Sequence, residues 1–176
     1  IHQKDKTLWS LHLLTDEAVK QILPVLLELK KVELHDLPTL MVESFSMQDL
    51  SSEQLFEFFN ENQDRSLFTI HFQTPTGFRS QGEYVLFPTM RLIFQSLMMK
   101  YARLVENRQD IEEETLDYLV KHSRITGYRL ESSYFKVHGK KIPGFRGRLT
   151  FKITGPNTLK AYANMLLKFG EYSGLG

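Results

Sequence analysis

The sequence predicts an α+β fold, and three observations carry the prediction. Segments that alternate apolar and polar residues, such as 143–154, are interleaved with segments of helical spacing, such as 90–105. From residue 66 onward the order reads strand, helix, strand, strand, helix. The 176 residues, 41% hydrophobic and 24% charged, have the composition of an ordinary globular chain long enough to bury a core.

Residues 7–14, TLWSLHLL, read as the first strand. Thr15 is placed to cap a helix, with Asp16 and Glu17 in a first turn whose dipole favours acids. Ala18, Val19, Ile22, Leu23, Leu26 and Leu27 keep helical spacing to about Lys31, and Pro24 is expected to kink or split the helix. Residues 32–46 return to extended structure, interrupted at Pro38. Ser51-Ser52-Glu53-Gln54 has the form of a capping box opening a short helix with Phe56, Phe58 and Phe59. The polar stretch Asn60 to Arg65 is the expected boundary, giving one block over 1–60 and another over 66–176.

In the second block, Phe68, Ile70 and Phe72 alternate in a strand from Ser66 to Gln73. It ends at Thr74-Pro75-Thr76-Gly77, a turn expected to present Phe78 and Arg79. After Phe87-Pro88, the residues Met90, Ile93, Phe94, Leu97, Met98, Tyr101, Leu104 and Val105 mark the clearest helix. The acidic segment 110–122 reads as a further helix. Residues 125–137 form the next strand, with a bulge expected at Ser132-Ser133, and His138-Gly139-Lys140-Lys141 is a hairpin tip. The returning strand, 143–154, puts Phe145, Gly147, Leu149, Phe151 and Ile153 on one face and Arg146, Arg148, Thr150 and Lys152 on the other. Gly155-Pro156 breaks it, Asn157 is expected to cap a helix over 157–169, and a glycine-bearing end runs from Gly170 to Gly176. One more strand would complete β-α-β-β-α-β, the ferredoxin-like arrangement. The first block, strand–helix–strand, matches the last three elements of another copy. The expectation is two tandem ferredoxin-like domains, the first incomplete and the second lacking its last strand.

Net charge is only +1, but it is unevenly spread. From Arg124 to Lys152 there are eight Lys or Arg and one acid, Glu131, whereas Asp110 to Asp117 holds five acids and no base. A solvated strand face would carry such cations too, but here aromatic residues are interleaved with them, as in surfaces built for a polyanion. No apolar run reaches the length of a membrane span, and no signal-peptide pattern or cysteine is present, which fits a cytoplasmic home. The chain opens on Ile and stops at Gly176 in what reads as mid-loop, so it is expected to be a fragment.

Five segments together resemble one family: TLWSLHLLTDE, FQTPTGFR, FPTMRLIFQSLMMKY, GFRGRLTFKITGP and FGEYSGLG. In this order they are similar to segments of the CRISPR-associated endoribonuclease that cuts the repeat RNA of long CRISPR transcripts, a member of the repeat-associated mysterious protein superfamily. No one segment is specific; five in order across roughly 170 residues are. The resemblance implies two ferredoxin-like domains in tandem and a metal-independent reaction without cofactor. In it a ribose 2′-OH attacks the adjacent phosphate to give a 2′,3′-cyclic phosphate and a free 5′-OH. Two departures stand out. His12 occupies a position where the family commonly carries Arg, and the family's catalytic histidine usually lies in elements that would precede this segment.

The chemistry needs a base, an acid and cations to stabilise charge on phosphate, and histidine suits the first two. Of the six histidines, His71 is read as structural, His122 as a partner of a helix dipole and His35 as preceding a Pro turn. His2 and His12 lie nearest the N-terminus and His138 lies in the basic hairpin, so these three rank higher, but no catalytic residue is assigned. No metal-ligand spacing is visible. Candidate RNA contacts are Arg79, Arg129, Lys136, Lys140, Lys141, Arg146, Arg148 and Lys152, together with Gly174 and Gly176 of the glycine segment. The implied partner is CRISPR repeat RNA, with other CRISPR effector-complex subunits as further partners, no membrane, and a monomer or homodimer. Two other readings compete: a non-cleaving repeat-RNA-binding subunit, and an unrelated ferredoxin-like interaction domain using the Phe-rich segment 55–59.

Overall fold

The computed structural model describes residues 8–33, 38–61, 63–137 and 139–176, in two compact units, Ile1–Asp49 and Leu50–Gly176. His2, His35 and His138 lie outside the described residues.

In the first unit, Thr15 Oγ1 accepts from the Ala18 N–H at 3.2 Å and starts helix α1, Asp16–Leu27. Pro24 lies inside α1 without splitting it. Two short strands, β1 (Lys31–Val32) and β2 (Leu40–Met41), pair antiparallel. The strand expected at 7–14 is not formed over its described residues, 8–14.

The second unit opens earlier than the polar linker at 60–65 suggests. Helix α2 (Ser52–Glu61) begins with a full capping box: Ser51 Oγ accepts from the Gln54 N–H, and Gln54 Oε1 accepts from the Ser51 N–H. Its Leu55 is buried in the second unit's core, so apolar burial makes α2 part of that unit.

Three strands make the main sheet, β3 (Leu67–Thr76), β6 (Ser123–Val137) and β7 (Lys140–Ile153), all neighbours antiparallel, in the order β3-β7-β6. That is first, third, second, the order of a ferredoxin-like unit. Between β3 and β6 come a hairpin of β4 (Phe78–Ser80) and β5 (Glu83–Val85), then helices α3 (Met90–Leu104) and α4 (Glu113–Lys121). Helix α5, Asn157–Ser173, comes after β7.

The core lies on one face of the sheet. Phe68, Phe72, Phe145, Leu149, Phe151 and Ile153 meet Ile93, Phe94 and Leu97 of α3 and Leu159, Leu166 and Phe169 of α5. Phe151 stacks on Phe68 at 5.4 Å and meets Phe94 edge-on at 6.1 Å. Burying such a ring stabilises the fold by about 1.5–3 kcal/mol. The acidic helix α4 buries Leu116 and Leu119 and is held to α3 through Arg91, whose guanidinium bonds Asp117 at 2.5 Å and Glu113 at 2.9 Å.

Four local expectations change. The β6 bulge falls between Ile125 and Gly127, not at Ser132-Ser133, which pair regularly with Phe145 and Gly144. One extra residue there lets Ile125 and Leu130, of opposite parity, both pack on the core. Phe78 is buried beside Phe145, at 6.0 Å between rings, rather than presented by the turn. The β4–β5 hairpin is an addition to the expected order; its signal is Gln81-Gly82, both at positive φ. Asn157 is the first helical residue and Pro156 the cap, because the extended Pro156 already sets the chain's entry.

Candidate nucleic-acid interface

Strand parity places the candidate cations. Buried Phe145, Leu149, Phe151 and Ile153 send Arg146, Arg148 and Lys152 to the other face of β7, where all three are exposed. Register then decides what stands beside them. Arg148 pairs with Arg129 of β6 on one side and with His71 of β3 on the other, a row of three across the sheet. Lys152 pairs with Arg124, and between the rows Thr69 and Thr150 share a hydroxyl hydrogen bond at 3.1 Å. Further out, Lys136 pairs with Lys141.

Three cation–cation pairs therefore sit directly opposite one another along one hairpin: 124 with 152, 129 with 148, and 136 with 141. Like charges so placed oppose folding. By parity, 124/152 and 129/148 lie on the open face and 136/141 on the opposite one. The exception is Arg146, whose Nε reaches Glu131 Oε1 at 2.5 Å across the strands.

Beyond the core the hairpin continues as an arm. Tyr134 is 56% exposed, and the Lys141 ammonium stands 4.7 Å from its ring centre, a cation–π contact. Lys136 and Lys140 are exposed there too. Arg79 is separate from this group: it bonds the Gly82 carbonyl at 2.9 Å and covers the Tyr84 ring within its own β4–β5 hairpin. Gly174 and Gly176 come after α5, on α3's side of the unit, where Gly176 lies against the Gly77 backbone and the Thr76 side chain.

Both glycines of the GFRG segment have structural causes. Gly147 has φ of +123°, and a Cβ there would run into the Arg129 carbonyl. Gly144 lets the Thr76 carbonyl approach to 2.5 Å from where a Cβ would stand.

A cavity of about 300 Å³ opens elsewhere, among Tyr101, Tyr162, Glu106, Asp110, Ile111 and Glu112. Burial, with the nearby Glu106 charge adding, pushes the Tyr162 hydroxyl up to about 12, so it stays neutral. Its acids repel a polyanion. Among the described residues no cluster of His, Asp or Glu is arranged to hold a metal, and no helix is long and apolar enough to cross a membrane.

Of the residues expected to bind, the structure gathers Arg129, Arg148 and Lys152 on one face, puts Lys136, Lys140 and Lys141 on the arm, ties up Arg146 and leaves Arg79 apart. It adds two that sequence reasoning missed, Arg124 and His71. Alternation points His71 away from the core. That it faces Arg148 depends on pairing between strands far apart in sequence.

Fold and face define a class: a ferredoxin-like α+β protein with a cationic sheet surface. A family model described as "CRISPR-associated endoribonuclease Cas6" matches residues 70–176. A Streptococcus thermophilus protein of that description is 59% identical over the whole chain, which spans 72% of its length. One from Mycobacterium tuberculosis (strain CDC 1551 / Oshkosh) is 32% identical over 96% of the chain and 54% of its own length. Among solved structures, a Cas6 product complex aligns with TM-score 0.75 and 21% identity over 93% of this chain and 69% of that one. Thermus thermophilus Cas6 gives 0.56 and 23% over 67% and 52%. These structural likenesses are of fold, and they bear out the tandem ferredoxin-like α+β reading. The chain belongs to the Cas6 family of CRISPR-associated endoribonucleases.

Proposed function

We propose that the protein binds CRISPR repeat RNA along the β6–β7 hairpin and that the intact protein cleaves it without metal. In that reaction a 2′-OH attacks the adjacent phosphate, and the products carry a 2′,3′-cyclic phosphate and a 5′-OH. The observation that carries the reading is the set of three like-charge pairs down the hairpin. Such pairs weaken the free protein and are relieved when phosphates come between the cations.

Arg124, Arg129, Arg148 and Lys152 contact backbone phosphates on the sheet face, beside His71. Lys136, Lys140 and Lys141 grip the RNA from the arm, with Tyr134 offering a ring on which a base can stack. A regular A-form major groove is too narrow to read, so the arm addresses the end of a stem or a single strand. Arg79, Gly174 and Gly176 take secondary contacts. Other CRISPR effector subunits are partners in this reading, the protein acts as a monomer or homodimer, and it works in the cytoplasm.

The test uses labelled repeat hairpin RNA with a chelator present. The expected result is salt-dependent binding and, for the intact protein, cleavage ending in a 2′,3′-cyclic phosphate. Binding without cleavage by the intact protein would favour the non-cleaving subunit. Absence of salt-dependent binding would sink both.

A further inference from the structure

Helix α3 faces two ways. Ile93, Phe94 and Leu97 enter the core, while Ser96 and Lys100, one turn apart, reach the segment that leaves α5. Helix α5 closes at Gly174, at φ of +71°, where the Gly174 N–H donates to the Gly170 carbonyl at 3.0 Å. The Lys100 ammonium then donates to the Ser173 carbonyl at 3.3 Å and the Gly174 carbonyl at 3.1 Å. Two residues on, the Gly176 N–H donates to Ser96 Oγ at 3.3 Å.

The third hold is steric. A Cβ on Gly176 would come within 2.7 Å of the Gly77 carbonyl oxygen, so only glycine lets the two backbones lie this close. A glycine segment loses more freedom on ordering than any other, so one whose path is already held meets a ligand at a smaller entropic cost. Lys100 is half-buried, and burial lowers its pKa from the ordinary lysine value. Bonded to these two backbone carbonyls, the ammonium ties the end of α5 to α3.

We propose that Ser96 and Lys100 are positioning residues that fix the path of the glycine segment 174–176 for contact with RNA phosphate. This rests on the reading of Gly174 and Gly176 as RNA contacts. Lys100 sets the root of the segment through the two carbonyls, and Ser96 sets its direction through the Gly176 N–H.

The experiment compares Lys100→Met, Lys100→Arg and Ser96→Ala in the intact protein. Three quantities are measured: amide exchange over 170–176 without RNA, affinity for repeat hairpin RNA, and cleavage rate at saturating RNA. Lys100→Met and Ser96→Ala are expected to speed exchange and weaken affinity about tenfold, with the saturated rate little changed. Lys100→Arg should restore both, since a guanidinium can donate to the same two carbonyls. Unchanged exchange in both Lys100→Met and Ser96→Ala overturns the positioning role. Faster exchange with unchanged affinity overturns the link to RNA and removes Gly174 and Gly176 from the interface. The hairpin reading stands or falls separately, on Arg129 and Arg148. Should Lys100→Met lower global stability, Ser96→Ala, which leaves the core side chains in place, decides the matter.

Discussion

Strands β6 and β7 are built in two halves that obey different rules. In the root, Leu149, Phe151 and Ile153 are fully buried beneath α3 and α5, and β3 pairs along the free edge of β7. In the arm, past Ser132 and Phe145, no third strand pairs among the described residues, and Tyr134, Lys136, Lys140 and Lys141 are exposed. The root is held by apolar burial. The arm is held by the hairpin ladder and a few contacts such as Lys141 on Tyr134. Apolar burial in the root is what makes it possible to hold cation against cation at 129/148 and 124/152. The arm's 136/141 pair has no core beneath it to offset repulsion, only the ladder and an aromatic ring.

The sharpest way to break this comparison is Phe151→Ala. Removing a fully buried ring that contacts Phe68 and Phe94 should cost about 3–5 kcal/mol, read by urea unfolding. A cost under about 1 kcal/mol would mean that the root is not the stabilising half.

Next in size is the contrast between cation pairs. Arg129→Gln with Arg148→Gln should lower RNA affinity at least tenfold and reduce the log–log salt slope by about 1.5 to 2. The same change should raise the stability of the free protein by about 0.2–1 kcal/mol, because it removes a like-charge pair. Lys136→Ala with Lys141→Ala should weaken RNA binding by a similar salt-dependent route and shift stability by no more than about 0.5 kcal/mol, because it removes the Lys141 contact with Tyr134 along with the like-charge pair. Equal losses of stability from the two doubles would erase the distinction between root and arm.

The smallest effect belongs to Glu131. It and Arg146 are both largely exposed, so their ion pair contributes about 0–1 kcal/mol. Glu131→Gln should leave melting nearly unchanged and tighten RNA binding a few-fold by releasing Arg146. Weaker binding in that variant would show that the acid orients the arginine rather than restraining it.

Much of this fold can be read without coordinates. Helix α3 is legible because its apolar spacing persists over four turns, and α2 because its capping box names its own first residue. Other features depend on distant partners. Nothing within β6 marks Thr126 rather than Ser132 as the bulge; the choice falls where Ile125 and Leu130 can both reach the core. The burial of Phe78 needs Phe145, from a strand far along the chain, to be in place.

The interface divides the same way. A two-residue period is a local property of an extended chain, so the sequence alone placed Arg146, Arg148 and Lys152 opposite Phe145, Leu149, Phe151 and Ile153. Which of those cations meet one another is a matter of register. Only the folded sheet put His71 and Arg129 on either side of Arg148, set Lys136 against Lys141, and gave Arg146 to Glu131. Period is encoded residue by residue. Register is chosen by the whole core, because a slip of one residue would turn every buried ring out to solvent.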